Sequence, residues 1–229
     1  HRVHHAINSE YLDKNYGQIL IIWDKMFGSF QKELKNVEPI YGVLRPANTW
    51  NPILINFKHL WQLIQDAYRT KYTWDRIRIW FMPTGWRPED VKIKHPIYTI
   101  QNLKGYQKYN TNISNSLMIW SYIQLIICMG FIFHFFPIIH QQKPFLNYFY
   151  GLYIMSHIFT YTSLMDKNKY IILIEFLKIF FGLLIIYIQN FSWFGLTDLS
   201  LYLICFYFTI SMLLTIYFSR ENRIVMKPI

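Results

Sequence analysis

The stretch LMIWSYIQLIICMGFIFHFFPII, residues 117–139, contains no Asp, Glu, Lys or Arg. A helix that crosses the hydrocarbon core of a bilayer needs about 20 consecutive, mainly apolar residues. Three further stretches of similar composition follow it, at residues 145–165, 170–188 and 199–218. The pattern predicts an all-α integral membrane protein with about four transmembrane helices toward its C-terminus. A soluble helical core is the alternative, but the helices of such a core need a polar face, and these stretches have little of one.

The charged residues divide the chain into two segments. Residues 1–116 hold 16 of the 23 Lys and Arg, whereas residues 117–229 hold 7. Tryptophan is enriched at membrane–water interfaces, and five tryptophans of the first segment fit interfacial helices as well as they fit an ordinary core: Trp50, Trp61, Trp74, Trp80 and Trp86. We expect residues 1–116 to form a polar segment with interfacial helices, and residues 117–229 to form a transmembrane region.

The positive charges of the loops favour one orientation in the membrane. They are frequent before residue 117, sparse in loop 140–144, denser in loop 166–169, absent from loop 190–198 and present again in the tail, which includes Lys227. Because cytoplasmic loops carry the excess of Lys and Arg, both ends of the chain are expected in the cytosol. The formal net charge of +10 does not indicate a nucleic-acid partner, since no nucleic-acid-binding motif accompanies it.

Several residues of the apolar half are ionisable or reactive. Glu175 and Lys178 are three positions apart, so they share a helix face and are expected to neutralise each other. His134 and His157 are candidates for function because they fall within the membrane stretches, although a neutral, hydrogen-bonded histidine is the favoured interpretation. The two cysteines, Cys128 and Cys205, lie in apolar stretches and are expected to be free.

Three histidines, His1, His4 and His5, lie within the first five residues. Positions i, i+3 and i+4 share one face of a helix, so the three imidazoles can converge on one or two metal ions. Neutral imidazole binds iron, zinc, copper and nickel, and the spacing does not select among these metals. A surface cluster or a tag remnant is the alternative, although Arg2 and Val3 interrupt the run.

Two carboxylates follow the histidines, Asp13 and Asp24. A metal-bound histidine usually donates its second ring N–H to a carboxylate or carbonyl, and either aspartate can serve in this way; turn or cap residues are the alternative. The segment GQILIIWDKMFGSF, residues 17–30, is expected to form a helix that ends near Gly28. Its apolar side can pack at the membrane surface through Ile19, Ile22, Trp23 and Met26.

Several segments of the sequence together resemble a known family of membrane enzymes. HRVHH (1–5), YLDKNYG (11–17) and LIIWDKMFGSF (20–30) occur in the order of the last histidine box and following segment of the fatty acid hydroxylase and sterol desaturase superfamily. Its members are integral membrane non-haem di-iron oxygenases. The segment EPIYGVLRPANTWNPILINFKHLWQLI (38–64) resembles the alkylglycerol monooxygenase branch, as do GWRPED (85–90) and SLMDKNKYIILIEFLK (163–178). The resemblance covers essentially the whole chain and is strongest over residues 1–90.

The resemblance implies a set of metal ligands. His1, His4 and His5 would bind iron in a di-iron centre, and no further histidine box is formed by the other five histidines, which are His59, His95, His134, His140 and His157. The remaining ligands would then lie upstream, and this segment would be inactive alone. The neighbouring motif would orient the ligands or shape the loop through Asp13, Asn15, Tyr16, Gly17, Trp23 and Asp24; catalytic and cofactor-binding residues stay unassigned.

The resemblance also implies a reaction. A membrane enzyme of this branch, located in the endoplasmic reticulum with its histidine box on the cytosolic side, would use O2 to hydroxylate the carbon beside the ether oxygen of an alkylglycerol. The resulting hemiacetal would separate into an aldehyde and glycerol, and tetrahydrobiopterin would supply electrons. The alternatives are a sterol or fatty-acyl hydroxylase or desaturase of the same superfamily, and a non-catalytic membrane remnant. Chain-length preference, metal identity, electron donor and oligomeric state stay open.

Overall fold

The computed structural model describes residues 1–225 apart from Gln101, Asn102, Lys104 and Tyr106, with the backbone alone for residues 222–225. The tail cation Lys227, which contributes to the loop-charge pattern, lies outside the described residues. The described residues form eight α-helices, one short 3-10 helix and two isolated β-bridges, with no strand among them. The all-α prediction is therefore confirmed.

Four helices, three of them short, precede the four helices of the apolar half. The 3-10 helix Gln18–Leu20 is followed by α1 (Ile22–Phe27), α2 (Pro52–Arg69), α3 (Thr73–Arg78) and α4 (Glu89–Lys94). The long helices are α5 (Asn115–Ile138), α6 (Pro144–Met165), α7 (Ile171–Ile188) and α8 (Asp198–Val225). They coincide closely with the four apolar stretches that the sequence marks as membrane helices.

The starts of the long helices have local causes. Ser114 is the N-cap of α5, and its side-chain oxygen accepts a hydrogen bond from the Leu117 amide at 3.3 Å. Pro144 lies in the first turn of α6, where its missing N–H costs no helical hydrogen bond. Short loops make consecutive helices neighbours, and α5 packs on α6, α6 on α7 and α7 on α8.

Three of these helices are long and apolar enough to cross a membrane: Asn115–Ile138, Ile171–Ile188 and Asp198–Glu221. This establishes a multi-pass membrane protein by helix length and composition. Helix α6 has the required length, but its tyrosines, threonines, Asn147 and His157 lower its mean hydropathy. Three of the about four expected transmembrane helices, α5, α7 and α8, therefore meet the criterion of length and hydropathy. The remaining one, α6, packs in the same bundle.

The chain separates into two compact units. One comprises His1–Asn48 and Lys58–Tyr109; the other comprises Thr49–Phe57 and Asn110–Ile229, so that α2 contributes residues to both. In the second unit, aromatic side chains fill the centre of the bundle. The loop after α7 places Trp193 and Phe194 inside, where Phe194 stacks on Tyr150 with ring centroids 4.3 Å apart. Phe208 of α8 is buried in the same core, and Gly182 of α7 leaves room for its ring, because a Cβ at position 182 would lie 2.6 Å from it.

Candidate functional site

The three N-terminal histidines lie in a hydrogen-bonded turn, not on the helix face that their spacing suggested. The amide of His5 donates to the carbonyl of His1 at 3.3 Å, and the amide of Ala6 donates to that of Val3 at 3.1 Å. The turn still brings the imidazoles together. The ring centroids of His1 and His5 are 4.6 Å apart, and those of His4 and His5 are 5.1 Å apart.

The segment 34–42 holds this turn in place. Asn8, which is buried, donates to the carbonyl of Glu38 at 3.0 Å and accepts from the amide of Ile40 at 2.7 Å. The amide of Gly42 donates to the carbonyl of His5 at 3.3 Å. Tyr11 is fully buried, and its hydroxyl donates to the carbonyl of Val37 at 2.6 Å. The EPIYG motif therefore forms one structure with the histidine turn.

An open cleft of about 610 Å³ adjoins the histidines. His1 and His5 line it together with Arg2 and residues 41–43. The imidazoles are the donor type that iron accepts, but in the described part of the chain no three His, Cys, Asp or Glu side chains are placed so that they could hold a metal ion.

Asp24 organises the loop that follows. Its carboxylate is buried and accepts hydrogen bonds from the amides of Tyr16 and Gly17, both at 2.8 Å, and from the hydroxyl of Ser29 at 2.7 Å. The Ser29 hydrogen bond lowers the pKa of Asp24, against the opposing effect of burial; the two amides and the nearby His4 imidazole lower it further. The carboxylate thus joins residues 16, 17 and 29 of the loop.

The other motif residues shape the same loop. Asn15 adopts a left-handed backbone conformation, donates to the carbonyl of Gln31 at 2.8 Å and accepts from its amide at 2.9 Å. Asp13 is also left-handed, and its hydrogen bond raises the pKa of the Tyr16 hydroxyl. Gly17 has no room for a side chain, because a Cβ would lie 2.6 Å from the Leu20 carbonyl oxygen.

The expected helix in residues 17–30 is present in two pieces. The 3-10 helix Gln18–Leu20 leads into α1, which ends at Gly28 in the left-handed conformation typical of a helix C-terminus. Trp23 is exposed and stacks on Phe27 with ring centroids 6.3 Å apart. The predicted apolar side is exposed throughout, at Ile19, Ile22, Trp23 and Met26.

A buried polar cluster lies inside the helix bundle. Glu175 and Lys178 form the expected ion pair at 2.8 Å and are almost fully buried. Lys178 also lies 3.2 Å from the Ser211 hydroxyl, and Gln124 donates to the same hydroxyl at 3.2 Å. Tyr207 donates to Gln124 at 2.6 Å. The sequence identified the ion pair but missed Gln124, Tyr207 and Ser211, since isolated polar residues in apolar stretches do not reveal their partners.

The two histidines of the membrane stretches are hydrogen-bonded. Nε2 of His157 lies 2.9 Å from the carbonyl oxygen of Gln124, and its Nδ1 lies 3.1 Å from the Tyr207 hydroxyl. Nδ1 of His134 lies 2.8 Å from the Tyr150 hydroxyl. These contacts match the interpretation of structural histidines. Cys128 and Cys205 are free, as predicted.

Two motifs quoted for the resemblance contact each other within the second unit. Asp166, from SLMDKNKY, accepts hydrogen bonds from the Thr49 hydroxyl and from the Trp50 amide, the latter at 2.8 Å. Asn51 donates to the Phe159 carbonyl and the Ser163 hydroxyl, both at 3.1 Å, and its side-chain oxygen accepts from the first amides of α2. Residues 49–51 and the end of α6 therefore form one anchored junction within the second unit.

Comparison with known proteins gives a consistent relationship. The chain is 33% identical over 132 residues to the alkylglycerol monooxygenase of Homo sapiens and 38% identical over 97 residues to that of Caenorhabditis elegans. The chain is similar to alkylglycerol monooxygenases. The Xenopus tropicalis enzyme of the same name is 29% identical over 137 residues. The matches cover 57%, 38% and 59% of this chain but 29%, 19% and 30% of those proteins.

The chain thus spans less than a third of the length of the curated alkylglycerol monooxygenases that it matches. No protein-family model matches the sequence. No solved structure matches it either.

Proposed function

We propose that this chain is the C-terminal part of a membrane monooxygenase that cleaves the ether bond of alkylglycerols. The observation that carries the proposal is the similarity to several proteins named alkylglycerol monooxygenase. The three helices long and apolar enough to cross a membrane support it, because the substrate is a lipid that partitions into the bilayer.

The proposed cofactors are a di-iron centre and a tetrahydropterin. His1, His4 and His5 would supply imidazole ligands, and the remaining ligands would come from other parts of the intact protein, so that this segment would be inactive alone. When bound, the irons supply the activation of O2 needed to oxidise a C–H bond, and the pterin supplies electrons. No residue of this chain is assigned to the pterin.

The residues around the histidine turn would hold the imidazoles in place and would not take part in the reaction themselves. The segment 34–42 fixes the backbone of the histidine turn through Asn8 and Tyr11. Asp24 fixes the next loop through three hydrogen bonds. We propose that this rigid support keeps the imidazoles oriented toward the metal, since ligand residues need a structured surrounding to hold their geometry.

The membrane arrangement of the proposal follows from the loop charges. The histidine turn and both ends of the chain would lie on the cytosolic side, and the protein would reside in the endoplasmic reticulum. A long-chain ether lipid would then arrive from the bilayer, while iron and pterin arrive from the cytosol.

The test is an assay of membranes that contain the intact protein. An alkylglycerol, tetrahydrobiopterin and O2 are added, and release of the fatty aldehyde is measured. We expect aldehyde that depends on the pterin. Oxidation of a sterol or a fatty-acyl chain without ether cleavage would assign the protein to another branch of the superfamily. Absence of turnover with every substrate, in protein that is folded and loaded with iron, would indicate a non-catalytic membrane protein.

A further inference from the structure

Helix α2 exposes its apolar side. Ile53, Phe57, Leu60, Trp61, Ile64 and Tyr68 recur at helical spacing along one face of Pro52–Arg69. Trp61 is 60% exposed, Tyr68 is 86% exposed, and Leu60 and Ile64 are 44% and 41% exposed. In a helix at the surface of a soluble protein, these are the residues that face the core.

One polar side chain on the other side of the helix, Asp66, faces inward, while Lys58 and His59 of that side are exposed. Asp66 is fully buried and accepts hydrogen bonds from Nε of Arg87 at 2.5 Å and from its Nη2 at 2.9 Å. Gln62 donates to Asp66 at 2.8 Å, and Nζ of Lys58 donates to the carbonyl of Pro46 at 2.5 Å. The first unit therefore packs around the Asp66 carboxylate of α2 and leaves the apolar face uncovered.

Helix α3 repeats this inverted arrangement. Asp75 is buried and pairs with Nε of Arg78 at 2.8 Å, whereas Trp74 and Ile77 are exposed. On both helices a carboxylate is buried while large apolar side chains are exposed. Exposed apolar area is unfavourable in water, and an apolar medium or partner on the outside would remove this cost.

We propose that α2 lies in the membrane–water interface, with Leu60, Trp61, Ile64 and Tyr68 inserted at the boundary between headgroups and acyl chains. The chain has three helices long and apolar enough to cross a membrane, so a bilayer is the apolar medium available to it. Trp and Tyr favour this layer. Arg69 and Lys71, at the end of the helix, provide the cations that anionic headgroups attract. The inference does not rest on the proposed reaction.

Site-directed spin labelling in vesicles of phosphatidylcholine and phosphatidylserine tests the proposal. The full chain carries one cysteine at a time at position 60, 61, 64 or 68, in a Cys128→Ala, Cys205→Ala background, and the matched control carries it at His59, an exposed residue on the opposite side of α2. We expect labels on the apolar face to collide more with O2, which concentrates in lipid, than with a water-soluble nickel chelate. The control label should show the reverse preference.

Two results would overturn the proposal. Preferential collision of the face labels with the nickel chelate would place α2 in water, and immobile labels that neither reagent reaches would show that protein covers the face. If the cysteine-free background does not fold, the native chain still gives an answer. Quenching of its tryptophan fluorescence by brominated lipids must be smaller in Trp61→Phe than in the parent, and equal quenching would remove Trp61 from the membrane.

Discussion

Asp66 and Arg87 form a two-point ion pair inside the first unit. Two guanidinium nitrogens of Arg87 lie 2.5 and 2.9 Å from the two carboxylate oxygens of Asp66, and Nη2 also donates to the carbonyl of His95 at 2.9 Å. Both side chains are buried. The pair joins α2 to the GWRPED motif, and so gives that motif a structural role that its sequence did not reveal.

Removal of the guanidinium should destabilise the first unit strongly. We expect Arg87→Ala to lower its free energy of unfolding by about 3–5 kcal/mol, because Asp66 would be left charged and buried without its partner. Limited proteolysis across a denaturant series measures the change. The control is Lys92→Ala, which removes the exposed pair with Glu89 and should cost about 0–1 kcal/mol. Equal effects of the two variants would show that burial of the Asp66 pair has no energetic consequence.

The ion pair within the helix bundle should behave as a coupled unit. Glu175→Gln and Lys178→Met are each expected to destabilise the bundle by about 3–5 kcal/mol, since each leaves one buried charge uncompensated. The double variant should cost clearly less than the sum of the single variants. Thermal unfolding in detergent, followed for all four proteins of the cycle, gives the coupling. Strict additivity would mean that the two charges act independently.

Replacement of the histidines proposed as ligands should abolish iron binding. We expect His4→Ala and His5→Ala in the intact protein to lose metal, measured as iron per polypeptide after purification, together with aldehyde production. His140→Ala is the matched control, because His140 is exposed in the turn between α5 and α6. Full iron content in the His4 or His5 variant would remove that residue from the ligand set.

The loop around Asp24 should loosen in acid. Its pKa is lowered in the folded protein, chiefly by the Ser29 hydroxyl, so its contribution to stability is present above the unfolded pKa of about 3.9 and is lost as the pH falls through the lower folded value. The protection of the Tyr16 and Gly17 amides, measured as their exchange relative to the intrinsic rate at each pH, should therefore fall at low pH. Asp24→Asn should remove most of this pH dependence; an unchanged dependence would assign it to another group.

Gly17 has no room for a side chain, so replacing it should disturb the loop. We expect Gly17→Ala to destabilise the loop by about 1–3 kcal/mol, because the added Cβ would lie 2.6 Å from the Leu20 carbonyl oxygen and 2.9 Å from the Asp24 carboxylate. Gly130→Ala in α5 is the control, since nothing lies within 4 Å of its added Cβ. Hydrogen exchange over residues 15–31 measures the loop. Equal protection in Gly17→Ala and the parent would contradict the packing around Asp24.

The sequence by itself determined the long helices, the Glu175–Lys178 pair and the end of α1 at Gly28. Each depends on local composition or on a spacing of a few residues, which the chain carries wherever it folds. The same local rule was insufficient at the histidines. The spacing correctly predicted that the rings of His1, His4 and His5 lie close together. It wrongly predicted a helix, because these residues form a turn that residues 34–42 hold in place.

Only the tertiary structure decided which polar residues meet and which way amphipathic faces turn. Asp66 and Arg87 are 21 residues apart and Thr49 and Asp166 are 117 apart, and no local pattern encodes such pairs. The sequence predicted interfacial helices in residues 1–116, yet not that Asp66 of α2 would be buried while its apolar side stays exposed. A helical pattern fixes the separation of two faces, whereas the partners available in the fold determine which of them is covered.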